Sequence, residues 1–385
     1  MTRRVLVATT TRADLWPLTA VIEELQRNAD FSVRVLATGA HVSSAFGTTI
    51  DEIDLSSEIM DVVDVPIDVA SSSGMAAAAA AILVGTVDRI EQWRPDIVLV
   101  LGDRWEMLAI AQACQIAAVP LAHLHGGEVT AGSTDDAVRH ALTKLSHVHL
   151  VATAAYAQRV RQLGEEPWRV HVVGAPALDR LRVAVDDSTE AELEQVLGGS
   201  AVRPTALVTY HPPTNHPERL ESELASVVAG CAACSTVLAT YPGADPGADR
   251  IIDVLRTWAA RDARVILVPS LGRLYPRALA TVDVVVGNSS SGIVEAPFFG
   301  VPVVNVGARQ DGRVRAAAVI DAPGTDEAVV AAVARAIDPA FRKSLPIGQS
   351  PYGDGEASGR IVDVLHRLPM RELLAKQFVD TEVHD

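Results

Sequence analysis

The sequence predicts two Rossmann-like α/β domains in series with a cleft between them. The apolar runs are short, β-branched and continuous rather than alternating, as in strands covered on both faces of a parallel sheet. They alternate with stretches of helical periodicity. The alternation breaks in a charged segment, Asp179–Arg203, and then restarts. A length of 385 residues also suits two cores better than one.

Taken in order, Arg4–Ala8 reads as the first strand and Asp14–Arg27 as the helix after it. Ser32–Ala37 is a strand and Val62–Ile67 a weaker one. Gly74–Gln92 is a long helix, Asp96–Leu101 a strand, and a helix then runs through Cys114. Strands at Val119–Leu124, His147–Ala152 and Val170–Val173 enclose helices at Asp135–Leu145 and Thr153–Leu163. After the break, strands at Ala206–Thr209, Thr236–Thr240, Val265–Val268, Asp283–Val286 and Val301–Val306 alternate with helices at Pro217–Gly230, Asp249–Ala260, Leu274–Ala280, from near Ser291, and Glu327–Ile337. The tail from Ala357 is helical, interrupted by Pro369, and ends in an acidic fray. The expected boundaries are a first domain over 1–180, a second over 181–360 and a helical tail over 361–385.

Composition excludes several classes. Lys+Arg 33 against Asp+Glu 48 gives a net charge of −15, so no basic field exists to collect nucleic-acid phosphates. Three Cys indicate a reducing compartment, hence cytoplasm, and the Cys231/Cys234 pair reads as core rather than zinc site. The opening MTRRVLVATTT reads as a strand, not a leader. The Ala-rich stretch Met75–Val84 is too short to cross a bilayer and reads as a buried helix, so no membrane partner is expected. Neither half carries GxGxxG after its first strand, which argues against a dinucleotide cofactor.

Open parallel sheets bind ligands beyond the carboxyl ends of their strands, and polar residues cluster at four such places. Thr9–Asp14 offers hydroxyls, helix N–H groups and Arg12 to a nucleotide, or simply a capped helix. Gly102-Asp103-Arg104 puts Asp103 at a strand end, as a catalytic carboxylate or a helix cap. The third cluster runs from His123-Leu124-His125-Gly126-Gly127-Glu128 to Asp135, Asp136, Arg139, His140 and Lys144. HxH can bind zinc, but paired glycines follow and no thiol helps, so no metal is expected; the glycines admit close approach of a ligand. His147 and His149 read as structural. In the second half His211 sits at a strand end as an acid–base candidate. Gly287-Asn288-Ser289-Ser290-Ser291-Gly292 forms an anion nest without a Walker lysine. Glu295 stands one turn into the following helix, and Arg309, Gln310 and Arg313 supply positive charge.

These loops resemble the UDP-N-acetylglucosamine 2-epimerase family, in particular its hydrolysing, sialic-acid-pathway branch. The stretches that carry the resemblance are TRAD (Thr11–Asp14), GDRWEML (Gly102–Leu108), HLHGGEVTAG (His123–Gly132), DDAVRHALTKLSHVH (Asp135–His149), YHPPT (Tyr210–Thr214), GNSSSGIVEAPFFGVPVVNVGARQDGR (Gly287–Arg313) and PYGDG (Pro351–Gly355). The resemblance implies a GT-B-like fold with a C-terminal helix returning to the first domain, a homodimer or homotetramer, and a UDP-sugar substrate. It implies that Ser289 and Ser290 hold the pyrophosphate, Glu295 the ribose, and Arg12 part of the UDP. Asp103 and the acids around Asp135 would take part in the chemistry, with His211 near the departing diphosphate.

One departure bears on substrate. Where some hydrolysing members have an HIEGGE-like run with a catalytic Glu, this chain has His125 in HLHGGE. A subgroup acting on a diacetamido-trideoxy sugar nucleotide, in the legionaminic-acid pathway, looks similar there. Either His125 or Glu128 would take the proton-transfer role. The expected reaction is elimination of UDP from UDP-GlcNAc to a 2-acetamidoglucal, followed by water addition to give ManNAc and UDP. Alternatives are return of UDP to give UDP-ManNAc, the diacetamido substrate, a GT-B glycosyltransferase, or a sugar-nucleotide sensor on a dead epimerase frame. The candidate catalytic set is Asp103, His125, Glu128, Asp135, Asp136 and His211. The candidate UDP set is Arg12, Asn288, Ser289, Ser290, Gly292, Glu295, Arg309 and Arg313.

Overall fold

The computed structural model describes residues 2–42, 59–66, 71–130, 135–183, 187–213, 215–243 and 247–380. The chain divides into two compact units. The first comprises Met1–Glu128, Asp135–Asp179 and Glu356–Asp385; the second comprises Val129–Thr134 and Arg180–Gly355.

The first unit is built on strands β1 (Arg3–Thr9), β2 (Phe31–Ala37), β3 (Met60–Val62), β4 (Ile97–Leu101), β5 (Leu121–Leu124), β6 (Val148–Val151) and β7 (Val170–Val172). Its helices are α1 (Arg12–Arg27), α2 (Ser72–Trp93), α3 (Trp105–Ile116), α4 (Asp135–Leu145) and α5 (Ala154–Gln162), and α6 (Ala177–Val183) carries the chain from the first unit into the second. The second unit carries α7 (Asp187–Leu197), β8 (Thr205–Thr209), α8 (Leu220–Gly230), β9 (Thr236–Thr240), α9 (Ala248–Arg261), β10 (Val265–Val268), α10 (Tyr275–Thr281), β11 (Val284–Gly287), α11 (Ser290–Val294), β12 (Val303–Val306), β13 (Val319–Ala322), α12 (Asp326–Ala336) and α13 (Pro339–Lys343). The chain then rejoins the first unit as α14 (Ala357–Arg367).

Both sheets have the doubly wound order. The first runs β3-β2-β1-β4-β5-β6-β7 and the second β10-β9-β8-β11-β12-β13, with every pair parallel. The switch points lie between β1 and β4 and between β8 and β11, where loops diverge and leave room for a ligand. Continuous apolar strands follow from cover on both faces: Val98, Leu99 and Val100 in β4 and Leu207 and Val208 in β8 are fully buried. α14 covers the first sheet, with Ile361, Val362 and Leu365 packed among Leu18, Val21, Ile22 and Leu25 of α1. Its free N–H groups are capped by Asp179, which accepts from the amides of Ala357 (2.9 Å) and Ser358 (2.6 Å).

Several elements differ from expectation. The weak strand expected at Val62–Ile67 is three residues, Met60–Val62, and residues 67–70 lie outside the described part. β13 escaped the sequence reading because Asp321 interrupts its apolar run. As an edge strand it tolerates that, and Asp321 accepts from Asn305 (2.7 Å) and Arg315 (3.1 Å). The helix expected from near Ser291 is α11, Ser290–Val294, and after Glu295 the chain continues as a 3-10 turn over Ala296–Phe299 that carries Pro297. The tail helix ends at Arg367 ahead of Pro369, and the residues that follow form turns and irregular backbone. The acidic fray Thr381–Asp385 lies outside the described residues.

The largest correction concerns α2. The Ala-rich stretch belongs to a 22-residue helix that is long and apolar enough, by length and composition alone, to cross a membrane. It is not a buried helix. Ala78, Ile82, Thr86 and Ile90 make its buried face, whereas Ala76, Ala77, Ala80, Ala81 and Val84 are exposed. The sequence reading failed because alanine on both faces hides the four-residue period.

Candidate functional site

In the first unit the strand-end loops converge on one buried cation. Arg139 lies on α4, one turn after Asp136, with a side chain only 1% exposed. Its guanidinium donates to the Asp103 carboxylate, to Asp136 Oδ1 (3.1 Å) and to the backbone oxygen of Glu128 (3.1 Å). One planar fork therefore ties together the loop after β4, the loop after β5 and the first turn of α4. Asp103 and Asp136 each keep about a quarter of their side chain exposed, at 25% and 28%, so the pair is both held and reachable. Asp103 is not the cap of α3; Arg104 occupies that position. The sequence could not separate Asp135 from Asp136. In the structure Asp136 is the one on Arg139, while Asp135 opens α4.

Next to this group stands a second pair. His125 Nδ1 lies 2.6 Å from Glu128 Oε1. The backbone there is unusual: His125 has φ +65 and Gly127 φ +76. Glycine is required at 127, because a Cβ would sit 2.4 Å from the Tyr156 carbonyl oxygen. Arg159 holds the same turn by donating to the Gly127 carbonyl.

His123 supports both groups from below. It is fully buried in β5, and its Nε2 donates to the Gly102 carbonyl at 2.7 Å, fixing the backbone just before Asp103. Burial holds its pKa down at about 4, although the Gly102 bond pulls the other way. The folded state thus binds fewer protons than the unfolded state, whose histidine titrates near 6.5. The stabilisation is complete above that value and is lost as pH falls toward about 4. Urea denaturation should show stability falling over this window, with a shallower slope in His123→Asn. His147 and His149 are structural as expected: His147 Nδ1 accepts from the Leu121 amide (3.1 Å), and His149 meets Glu165 at 2.8 Å.

In the Thr9–Asp14 loop the Thr9 and Thr10 hydroxyls turn inward rather than toward a ligand. Thr9 and Thr10 are buried and donate to the Asp14 carboxylate at 2.6 and 2.7 Å, while the Thr10 and Thr11 amides bond it as well. Arg12 opens α1, but its side chain lies outside the described part of the structure.

In the second unit the switch point is latched by Asn288. Its Oδ1 accepts from the His211 amide (2.7 Å) and its Nδ2 donates to the His211 carbonyl (2.8 Å). Its own carbonyl accepts from Arg309 (3.2 Å) and Gln310 (2.8 Å). Asn288 is thus a buried brace rather than a presented ligand group. Only glycine fits at 287, where φ is +144 and a Cβ would meet the Thr209 carbonyl oxygen at 2.1 Å. Ser289 caps α11 half-buried and Ser290 is exposed. Ser289 Oγ lies 3.0 Å from Ser291 Oγ, which pairs in turn with the Tyr275 hydroxyl. Gly292 turns inward, 3.1 Å from Val303 at its Cβ position, so its smallness serves packing of α11 on β12. Glu295 ends α11 close enough to Tyr275 to add to the burial that raises that phenol's pKa. Arg313 lies in the loop after β12, its amide bonded to the Gln310 carbonyl (3.3 Å). His211 is half-buried, and burial together with Arg309 lowers its pKa, leaving it neutral. Thr214 of the YHPPT run lies outside the described residues.

Arg139 and His123 were not among the expected site residues. Both lay in the third polar cluster, Arg139 at three-residue spacing from Asp136 on a helix and His123 in the HxH run weighed for zinc.

A family profile described as UDP-N-acetylglucosamine 2-epimerase matches residues 23–366. The chain is 36% identical, over 96% of its length and 97% of the relative's, to the UDP-N,N'-diacetylbacillosamine 2-epimerase (hydrolyzing) of Legionella pneumophila. It is 33% identical to the GDP/UDP-N,N'-diacetylbacillosamine 2-epimerase (hydrolyzing) of Campylobacter jejuni, over 84% of this chain and 85% of that one. Among solved structures, the UDP-GlcNAc 2-epimerase of Neisseria meningitidis bound to UDP-GlcNAc superposes with a TM-score of 0.82 at 20% identity, covering 95% of this chain and 100% of that one. At that identity the likeness speaks for fold, and the fold class is α/β, GT-B-like, as the sequence predicts. With a family match spanning most of its length and relatives this similar end to end, the chain belongs to the UDP-N-acetylglucosamine 2-epimerase family.

Proposed function

We propose that the protein is a hydrolysing 2-epimerase whose substrate is UDP-N,N'-diacetylbacillosamine, converted to UDP and the free 2-epimeric sugar. The observation that carries the reading is the presence, at adjacent strand ends, of two separate proton-handling groups: Asp103–Arg139–Asp136 and His125–Glu128. Inverting C2 needs a proton removed from one face and delivered to the other, so one acid–base group is too few. The C2 proton is not next to a carbonyl. Its removal becomes feasible only as the C1–O bond breaks and UDP departs with the electron pair, leaving a C1=C2 double bond. Water then adds at C1 as C2 is protonated. No net oxidation occurs, so the mechanism needs no redox cofactor.

For UDP the reading assigns Ser289 and Ser290, with Arg309 and Arg313, to the diphosphate. Glu295 takes the ribose, Arg12 contributes to UDP binding, and His211 stays neutral beside the leaving group. Asn288 and Gly292 shape this nest from behind. The diacetamido sugar is preferred over UDP-GlcNAc because both hydrolysing relatives named above carry that substrate in their names, and because His125 stands where a glutamate is expected in other hydrolysing members. The exposed alanine face of α2 is the surface that a homo-oligomer would bury. Three free, buried cysteines fit a reducing compartment such as the cytoplasm.

The test is NMR of turnover in deuterated water with each UDP-sugar. The expected products are UDP and the free manno-configured diacetamido sugar deuterated at C2, formed with a kcat/KM at least about tenfold above that for UDP-GlcNAc. A higher kcat/KM for UDP-GlcNAc would replace the substrate assignment. Accumulation of an epimerised nucleotide sugar without free sugar would replace hydrolysis by reversible epimerisation.

A further inference from the structure

We infer that His125, oriented by Glu128 behind it, is the base that takes the C2 proton during elimination of UDP; the assignment rests on the 2-epimerase reading above. Glu128 and His125 were interchangeable candidates in the sequence, and their burial separates them. The Glu128 side chain is 1% exposed, whereas His125 keeps 14%. The carboxylate is therefore sealed behind the ring, and the ring is the group a substrate can touch. Nδ1 lies 2.6 Å from Glu128 Oε1, so the carboxylate fixes the tautomer with the proton on Nδ1 and leaves the Nε2 lone pair free. Nε2 has no hydrogen-bond partner among the described residues.

The backbone supports the same assignment. A left-handed φ of +65 is uncommon outside glycine, though histidine enters it more readily than most residues, and it recurs at functional positions where the surroundings over-determine it. Here they do. The His125 amide donates to the Leu150 carbonyl at 3.2 Å, and Gly127, whose side is closed off by Tyr156, allows no adjustment two residues on. The chain accepts a strained residue to aim an imidazole.

In the step itself Nε2 takes the C2 proton. The C2–H electron pair becomes the C1=C2 π bond, and the C1–O pair leaves on UDP. The imidazolium formed is neutralised by Glu128 and passes its new proton to solvent. Reprotonation of C2 from the opposite face falls to the Asp103–Asp136 group.

The strain supplies an unusually clean variant. Glycine adopts the left-handed backbone of His125 readily, so His125→Gly removes the ring while keeping the turn, at the cost of leaving the buried Glu128 carboxylate without its ring partner. Relief of the backbone and loss of the Glu128 partner act in opposite directions, so the variant should stay folded, which its far-UV circular dichroism and unchanged UDP affinity check. In deuterated water with UDP-N,N'-diacetylbacillosamine and with UDP-GlcNAc, His125→Gly should release UDP at least about 100-fold more slowly, a typical loss for a general base. It should form neither glycal nor 2-deuterated sugar, and affinity for UDP should stay within about threefold. Added imidazole should restore a saturable part of the rate. Glu128→Gln should retain the ring and fall between the two. Accumulation of the 2-acetamido glycal in His125→Gly would overturn the assignment, since His125 would then act after elimination; so would turnover within threefold of the native protein. If the native protein releases UDP from neither sugar, the 2-epimerase reading itself fails and takes this inference with it. Native turnover with an active His125→Gly sinks the inference alone.

Discussion

Arg139→Met should abolish detectable turnover and cost the first unit about 3 kcal/mol of stability. Methionine matches the length of the arginine stem, so little packing volume is lost. What is lost is a buried cation that satisfies two carboxylates and a carbonyl at once. Removing one partner from a buried ion pair typically costs about 3–5 kcal/mol, because the remaining charge cannot be resolvated. Here the partial exposure of Asp103 and Asp136 moves the figure to the lower end. Four of the five tryptophans, Trp16, Trp93, Trp105 and Trp168, lie in the first unit, so tryptophan fluorescence under urea reads the affected half. Arg139→Lys should recover part of the stability but little activity, since an ammonium cannot bridge the three acceptors in one plane. Full turnover in Arg139→Met would remove the guanidinium from the mechanism.

Asp103→Asn should lower kcat by about 10³-fold, within the range for loss of a positioned acid–base group, while UDP affinity changes less than about twofold. The amide keeps the shape of the carboxylate and an oxygen for Arg139, so the loops after β4 and β5 stay in place. The change removes the charge and the ability to carry a proton at C2. Calorimetric titration with UDP, set against UDP release from the UDP-sugar, separates the two effects. A parallel loss of UDP affinity would make Asp103 a binding residue instead.

These two residues also mark where the sequence was readable. Asp103 could be named because the continuous apolar run before it announces a buried parallel strand, and strand ends are where such sheets place chemistry. The same logic pointed to Glu128 and His211, and to Asp135 and Asp136 without separating them. Arg139 could be read as a helix residue and no more. Its pairing with Asp103 spans 36 positions, and no local pattern encodes which loop a guanidinium reaches. Thr9 and Thr10 misled for the related reason that hydroxyls suited to a nucleotide equally suit a neighbouring carboxylate, here Asp14. The fold shows the same limit. Central strands such as β4 and β8 are legible because both faces are covered. The edge strand β13 is not, since one edge open to solvent lets an aspartate enter the run. α2 was misjudged because alanine contributes too little contrast to reveal which face is inside.

The seating of α14 bears on how the protein comes off the ribosome. The helix that covers α1 is made more than 300 residues after it. Until then Leu18, Ile22 and Leu25 have lost their cover, and Asp179 waits without the amides it will cap. The N-terminal half therefore emerges as an unfinished body, and a nascent chain stalled before Ile361 would present a greasy face suited to a chaperone. α14 acts as the closing stitch that commits the first-made half to its final form.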